Sequence, residues 1–127
     1  MHNRKTSEAA ERFAERRRRE NEAPRLKTEF PSLQTLALEI RETSGAAASA
    51  ATPMHIRRIM VEHAPALFVM PCGDARCQHG GHDITSILRS HLRSNETRFE
   101  GDHECRGSTD DAMCSRVLHF VATATYA

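Results

Sequence analysis

The sequence predicts an α+β fold: a small, mostly antiparallel sheet with one packed helix, and a charged helix at the N-terminus. Three features predict it. Several stretches alternate apolar and polar residues as half-buried strands do, and turn-forming residues separate them. One stretch, residues 83–94, combines a helix start, an apolar stripe and a basic end. The length, 127 residues, suits one domain and not two.

Residues 7–21, SEAAERFAERRRREN, are helix formers throughout, with Ser7 as a cap and Pro24 as the stop. Their apolar face is only Ala10, Phe13 and Ala14, too narrow to hold a helix on a core. Residues 1–29 are therefore expected to form a charged, partly flexible arm beside a single domain over 30–127. Residues 33–42 admit two periods. Leu33, Leu36, Ala37 and Ile40 fit a helix, whereas Leu36, Leu38 and Ile40 fit a strand with Ala37, Glu39 and Arg41 facing out. The helix leaves Leu38 exposed and the strand does not, so the spacing predicts a strand.

Residues 43–53, TSGAAASAATP, read as a flexible loop, and residues 54–63 as a second strand. The short apolar run LFVMPC, residues 67–72, reads as a central strand buried on both faces. In the helix over 83–94, Asp83 is a good N-cap, while Ile84, Ile87, Leu88, His91 and Leu92 share one face. Arg89 and Arg93 suit the negative end of its dipole. Residues 96–104 are predicted as an edge strand. Residues 115–126 are a last strand, with Leu118, Phe120, Ala122, Ala124 and Tyr126 on one face.

Aromatic residues are scarce, with five Phe, one Tyr and no Trp, so the core is thin; small domains of this kind often depend on a metal or disulfides. No apolar run is long enough to cross a membrane. The N-terminus has no apolar stretch of the secretory type, and Glu8, Glu11, Glu15 and Glu20 argue against a transit peptide. A cytoplasmic, reducing location is therefore expected, where cysteines serve as metal ligands or free thiols rather than disulfides.

The four cysteines stand as C-x4-C (Cys72, Cys77), then 27 residues, then C-x8-C (Cys105, Cys114). If strand 67–72 runs up, the helix runs down, the next strand runs up to Cys105, and the last runs down from just after Cys114. A right-handed crossover then brings both pairs to the same end of the sheet. Four converging thiolates meet the needs of a closed tetrahedral zinc site. Gly73, Gly80, Gly81 and Gly107 let the backbone bend around an ion and offer N–H groups to sulfur. His79 and His82 are possible substitutes for one thiolate, and His103 and His119 flank the other pair. The competing readings are four unrelated buried cysteines, disulfides, and an iron–sulfur cluster, although no ferredoxin spacing occurs.

Four available thiolates leave no open coordination position, which argues against catalytic zinc. The chain has no H-E-x-x-H, G-x-S-x-G or P-loop, and CGDARC lacks the partners of a zinc deaminase. Residues 1–27 carry nine Lys/Arg against five Asp/Glu; the remainder carries nine against twelve. Arg12, Arg16, Arg17, Arg18 and Arg19 are the candidate contacts to RNA or DNA phosphates, partly neutralised by Glu8, Glu11 and Glu15 on the same helix. The sequence thus predicts a non-catalytic, zinc-stabilised binding module that associates with nucleic acid or a nucleic-acid machine. A protein–protein adaptor is the second reading and a small metal-dependent enzyme the third.

Overall fold

A computed structural model describes residues 4–44, 54–74, 76–110 and 112–127. In chain order the elements are helices α1 (Arg4–Glu22) and α2 (Leu26–Glu29), strands β1 (Leu33–Ser44), β2 (His55–Ile59), β3 (Val69–Met70) and β4 (His82–Asp83), helix α3 (Thr85–Arg93), and strands β5 (Arg98–Glu104), β6 (Ser108–Thr109), β7 (Ala112–Met113) and β8 (Arg116–Tyr126). The main sheet is four-stranded and wholly antiparallel, in the order β2-β1-β8-β5. Two small two-stranded ladders, β3-β4 and β6-β7, lie outside it.

The two longest strands, β1 and β8, form the centre because their alternation is the cleanest. Leu36, Leu38 and Ile40 of β1 stand opposite Ala124, Ala122 and Phe120 of β8, and all six are buried. The strand reading of 33–42 therefore holds, with Leu38 fully buried and Arg41 exposed. Ile84, just before α3, and Leu88 and Leu92 within it are buried in the same apolar cluster as Leu118 and Phe120, and Ile87 packs against it half-buried. Truncating a fully buried leucine removes transfer energy and leaves a void, so Leu88→Ala is expected to cost about 2–5 kcal/mol. Denaturant unfolding of the variant measures it, and a cost within error of zero would contradict this packing.

Several boundaries differ from expectation. The helix starts at Arg4, so Ser7 lies inside α1 rather than capping it. The N-cap position of α3 falls on Ile84, but the Asp83 carboxylate still accepts the Thr85 N–H at 3.0 Å, serving the helix start from one residue earlier. The strand expected over 54–63 is only five residues long. Beyond it the chain turns, with His63 and Ala64 N–H groups both bonded to the Met60 carbonyl. Of the expected loop 43–53, Thr43 and Ser44 extend β1, and residues 45–53 lie outside the described residues.

The largest correction concerns residues 67–72. They are not a central strand of the sheet: only Val69 and Met70 pair, and only with Asp83 and His82. Phe68 and Met70 are buried while Leu67 and Val69 are half-buried, so the run covers the core instead of joining the main sheet. A short apolar run looks the same in either role.

The end of the expected arm, 1–29, is joined to the body. Leu26 is fully buried, its N–H donates to the Ala64 carbonyl at 2.9 Å, and the Ala66 N–H donates to the Pro24 carbonyl at 2.7 Å. Along α1 the expected apolar face is turned outward, with Phe13 64% exposed. The helix meets the body through arginines instead. Arg19 pairs with Asp83 at 2.9 Å, and Arg16 donates to the Val69 carbonyl at 3.1 Å.

Candidate metal centre

Each cysteine pair lies on a chain excursion closed at its base by antiparallel pairing. The first leaves from Met70 and returns at His82, which stand opposite each other in the β3-β4 ladder. The second leaves from Glu104 and returns at Val117, opposite each other in β5-β8. The Cys105 N–H continues that pairing by donating to the Arg116 carbonyl at 2.9 Å, and the Cys114 N–H donates to the Gly107 carbonyl at 2.9 Å. The two excursions are then tied together. Gln78 and Ser108 exchange two backbone hydrogen bonds of 2.8 and 3.0 Å.

This framework brings the four sulfurs within 4.8 Å of one another. Cys72 and Cys114 Sγ are 3.7 Å apart, and Cys77 and Cys105 Sγ are 3.5 Å apart. All four are free thiols. A tetrahedron with zinc–sulfur bonds of about 2.3 Å has edges of about 3.8 Å, so both measured edges suit a central ion. A disulfide needs sulfurs about 2.05 Å apart.

The cluster is closed in by glycine. A Cβ on Gly107 would stand 2.5 Å from Cys77 Sγ and 2.6 Å from the Gly80 Cα, and one on Gly80 would collide with the sulfurs of both Cys77 and Cys105. Backbone donors reach the sulfurs as well: Gly81 N–H lies 3.3 Å from Cys105 Sγ, and Asp74 N–H 3.5 Å from Cys72 Sγ. Burial pushes the Cys72 thiol up, and burial with the neighbouring Cys105 pushes Cys77 up to about 11. Burial acts upward on Cys105 too, but the N–H groups of Gly81 and Gly107, together with the Cys77 and Cys114 thiols, outweigh it and hold that thiol below its ordinary value. Cys105 therefore ionises more readily than Cys72 or Cys77. A bound cation would hold the coordinating sulfurs as thiolates.

Neither histidine considered as a substitute is among these donors. His79 is exposed, with a positive φ of 58° in the loop. His82 is fully buried and has both ring nitrogens engaged: Nε2 lies 2.9 Å from Glu42 Oε2, and Nδ1 lies 3.0 Å from His103 Nδ1. Of the flanking pair, His103 is this partner of His82. His119 stands away from the sulfurs on the open sheet face, between Thr43 Oγ1 at 2.9 Å and Asp102 Oδ1 at 2.5 Å.

Beside the cysteines, Glu42 and His82 are buried polar groups, with His103 half-buried next to them. Glu42, Leu118 and His103 stand in register on β1, β8 and β5, and His82 bonds to the two polar members. Arg116 binds the Glu42 carboxylate from the other side, and the Gly73 N–H donates to it at 3.0 and 3.1 Å. Burial alone would raise the Glu42 carboxyl. Arg116, the Gly73 N–H and His82 together hold it below the usual carboxylate range. This row couples the central strand to the residue after Cys72, as the partners of metal ligands commonly do. It escaped the sequence reading, although one signal was present: Glu42 continues the inward series 36, 38, 40 of β1 and so places a charge on the buried face.

Of the five candidate arginines on α1, Arg16, Arg17, Arg18 and Arg19 are engaged. Arg18 bonds Glu15 and Glu22 at 2.6 and 2.9 Å, Arg16 lies 3.6 Å from Glu20, and Arg19 reaches Asp83 rather than Glu15. Arg17 lies over the Phe13 ring, 5.9 Å from its centre. These are mostly exposed contacts, each of small energy.

The fold and the cluster define a class: an α+β protein with a four-cysteine group at one end of an antiparallel sheet, suited to holding a metal ion. No known protein family, curated protein or solved structure matches the chain.

Proposed function

We propose that the chain is a zinc-stabilised, non-catalytic binding module. The observation that carries this reading is the set of four sulfurs within 4.8 Å, which by themselves complete a tetrahedral ligand set. Four thiolates favour zinc, which takes soft ligands tetrahedrally and gains nothing from an open position in a structural role. One zinc per chain is the expected result of elemental analysis on reductively purified protein. Protein that holds no metal and titrates four thiols while folded would overturn the reading; iron in place of zinc would move the site to the other metal that suits four cysteines.

An enzyme is less well supported. Thr43, His119 and Asp102 stand in the order of a nucleophile, a base and an acid. They are cross-strand and diagonal neighbours on an exposed sheet face, and they line neither the cleft between β2 and α1 nor the one beside Arg25 and His63.

Nucleic-acid binding through Arg12 and Arg16 to Arg19 is the second reading, supported by the basic surplus of residues 1–27. Binding of that kind acts through phosphates. Replacing Arg16, Arg17, Arg18 and Arg19 by Ser is then expected to lower RNA affinity and its salt dependence together, by about 0.9 in log–log slope for each duplex phosphate no longer neutralised. Unchanged RNA affinity in that variant, or none in the parent at low salt, favours a protein partner.

A further inference from the structure

Among the described residues, the strand β2 is an open edge of the main sheet. Among the described residues its backbone bonds to β1 alone, so alternate N–H and C=O groups face outward unpaired. His55, Ile56, Arg57 and Arg58 are exposed, and Ile59 is half-buried. Open edges of this length invite another strand unless something on them forbids it.

A cleft of about 230 Å3 opens beside the edge, between β2 and α1. Ile59, Leu67, Phe68 and Val69 give it an apolar floor, and Arg16 and Arg57 stand among its lining. Arg16 is engaged by Glu20 and the Val69 carbonyl. Arg57 makes no hydrogen bond or ion pair among the described residues. Met54, Ile56 and Met60 around the strand are all about half exposed or more, at 49, 56 and 71%.

The charges select the occupant. Two copies pairing through β2 would bring arginines against arginines, since the strand carries Arg57 and Arg58 and no acid. An acidic strand meets them favourably. Successive side chains of a strand point to opposite faces, so Arg57 and Ile59 share the cleft side and Arg58 and Ile56 share the other. A partner strand read against Ile59, Arg58, Arg57 and Ile56 must then run apolar, acidic, acidic, apolar.

We propose that the β2 edge binds an extended peptide segment with the pattern apolar–acidic–acidic–apolar as a fifth strand, its first apolar side chain entering the cleft. Main-chain hydrogen bonds supply affinity in this mode, and the cleft with the two guanidinium groups supplies specificity. The inference rests on the binding-module reading and names its partner.

The test uses the full zinc-loaded chain and fluorescence anisotropy of short labelled peptides. One carries Ile-Glu-Glu-Val at its centre, one the same residues permuted to Glu-Ile-Val-Glu, and one Ile-Lys-Lys-Val; a single-stranded RNA oligonucleotide is the fourth probe. The expected result is a preference of at least about tenfold for Ile-Glu-Glu-Val over the permuted peptide. The double variant Arg57→Glu, Arg58→Glu, both exposed sites, is expected to reverse the choice toward Ile-Lys-Lys-Val. Equal binding of the ordered and permuted peptides overturns the proposal. So does binding that the double variant leaves unchanged, RNA binding without peptide binding, or the absence of any binding. Zinc content measured on the same samples separates the two readings. A zinc-loaded chain that ignores the peptides overturns only the edge site, while a metal-free chain that selects them overturns only the zinc site.

Discussion

Replacing Cys105 with serine is expected to release the metal and unfold the end of the sheet, or the whole domain. Cys105 is buried at 3% exposure, continues the β5-β8 pairing, and receives the Gly81 N–H. Structural zinc in small sites contributes on the order of 10 kcal/mol of apparent binding energy. A domain of this size has a total stability of about 5–15 kcal/mol. Even a net loss of about 3 kcal/mol lowers the melting temperature by about 10 °C, so the effect is easily read by thermal unfolding in excess zinc. Chelation of the parent protein should produce the same shift. A variant that melts within a couple of degrees of the parent would show that the site is dispensable and the metal account wrong.

Removing the Glu42 side chain is the second large expected loss. Its carboxylate lies between Arg116 and His82, with the Gly73 N–H as a third donor. Glu42→Ala leaves a guanidinium and a fully buried imidazole without this acceptor, at a cost of about 3–5 kcal/mol. Because Gly73 follows Cys72 directly, zinc retention should weaken too, by about 10–100-fold, measured by competition with a chromophoric chelator. Glu42→Gln keeps an acceptor and should cost less. The pH dependence has a definite sign. The carboxyl is held below its ordinary value of 4.5, so its contribution is complete above that value and fades as pH falls through the lower one in the fold. The stability gap between the parent and Glu42→Gln should therefore narrow in acid; a gap that widens would contradict the assignment.

The strand at 115–126 was legible because strict alternation over ten or so residues has one structural meaning, whereas at 33–42 a helical and a strand period competed and only the need to bury Leu38 favoured the strand. Helix 83–94 was legible because Asp83, the stripe of Ile84, Leu88 and Leu92, and the basic end all agree. The meeting of the four cysteines was also expected, but by a route that the fold does not use. The expected route is a crossover through strand 67–72; in fact two separate hairpin-like excursions bring the sulfurs together, joined by the Gln78–Ser108 bridge. Such a bridge between backbone groups leaves no trace in side-chain pattern. Nor does the inward placement of Arg16 and Arg19: on a helix with a narrow apolar face, the seat is chosen by Asp83 and the Val69 carbonyl, which are distant in sequence.

The pairing of β1 with β8 joins residues 33–44 to residues 116–126 at the middle of the sheet. During synthesis, at about 5–20 residues per second, the first central strand thus emerges several seconds before the second. Within that interval, while residues 78–104 are being added, Cys72 and Cys77 exist and Cys105 and Cys114 do not, so the early thiols could offer an ion only half of its ligands. Sheet closure and the completion of the four-cysteine set must both await the same late segment. With a metal bound as proposed, the finished site would act as a latch on a sheet whose central pair joins segments far apart in the chain.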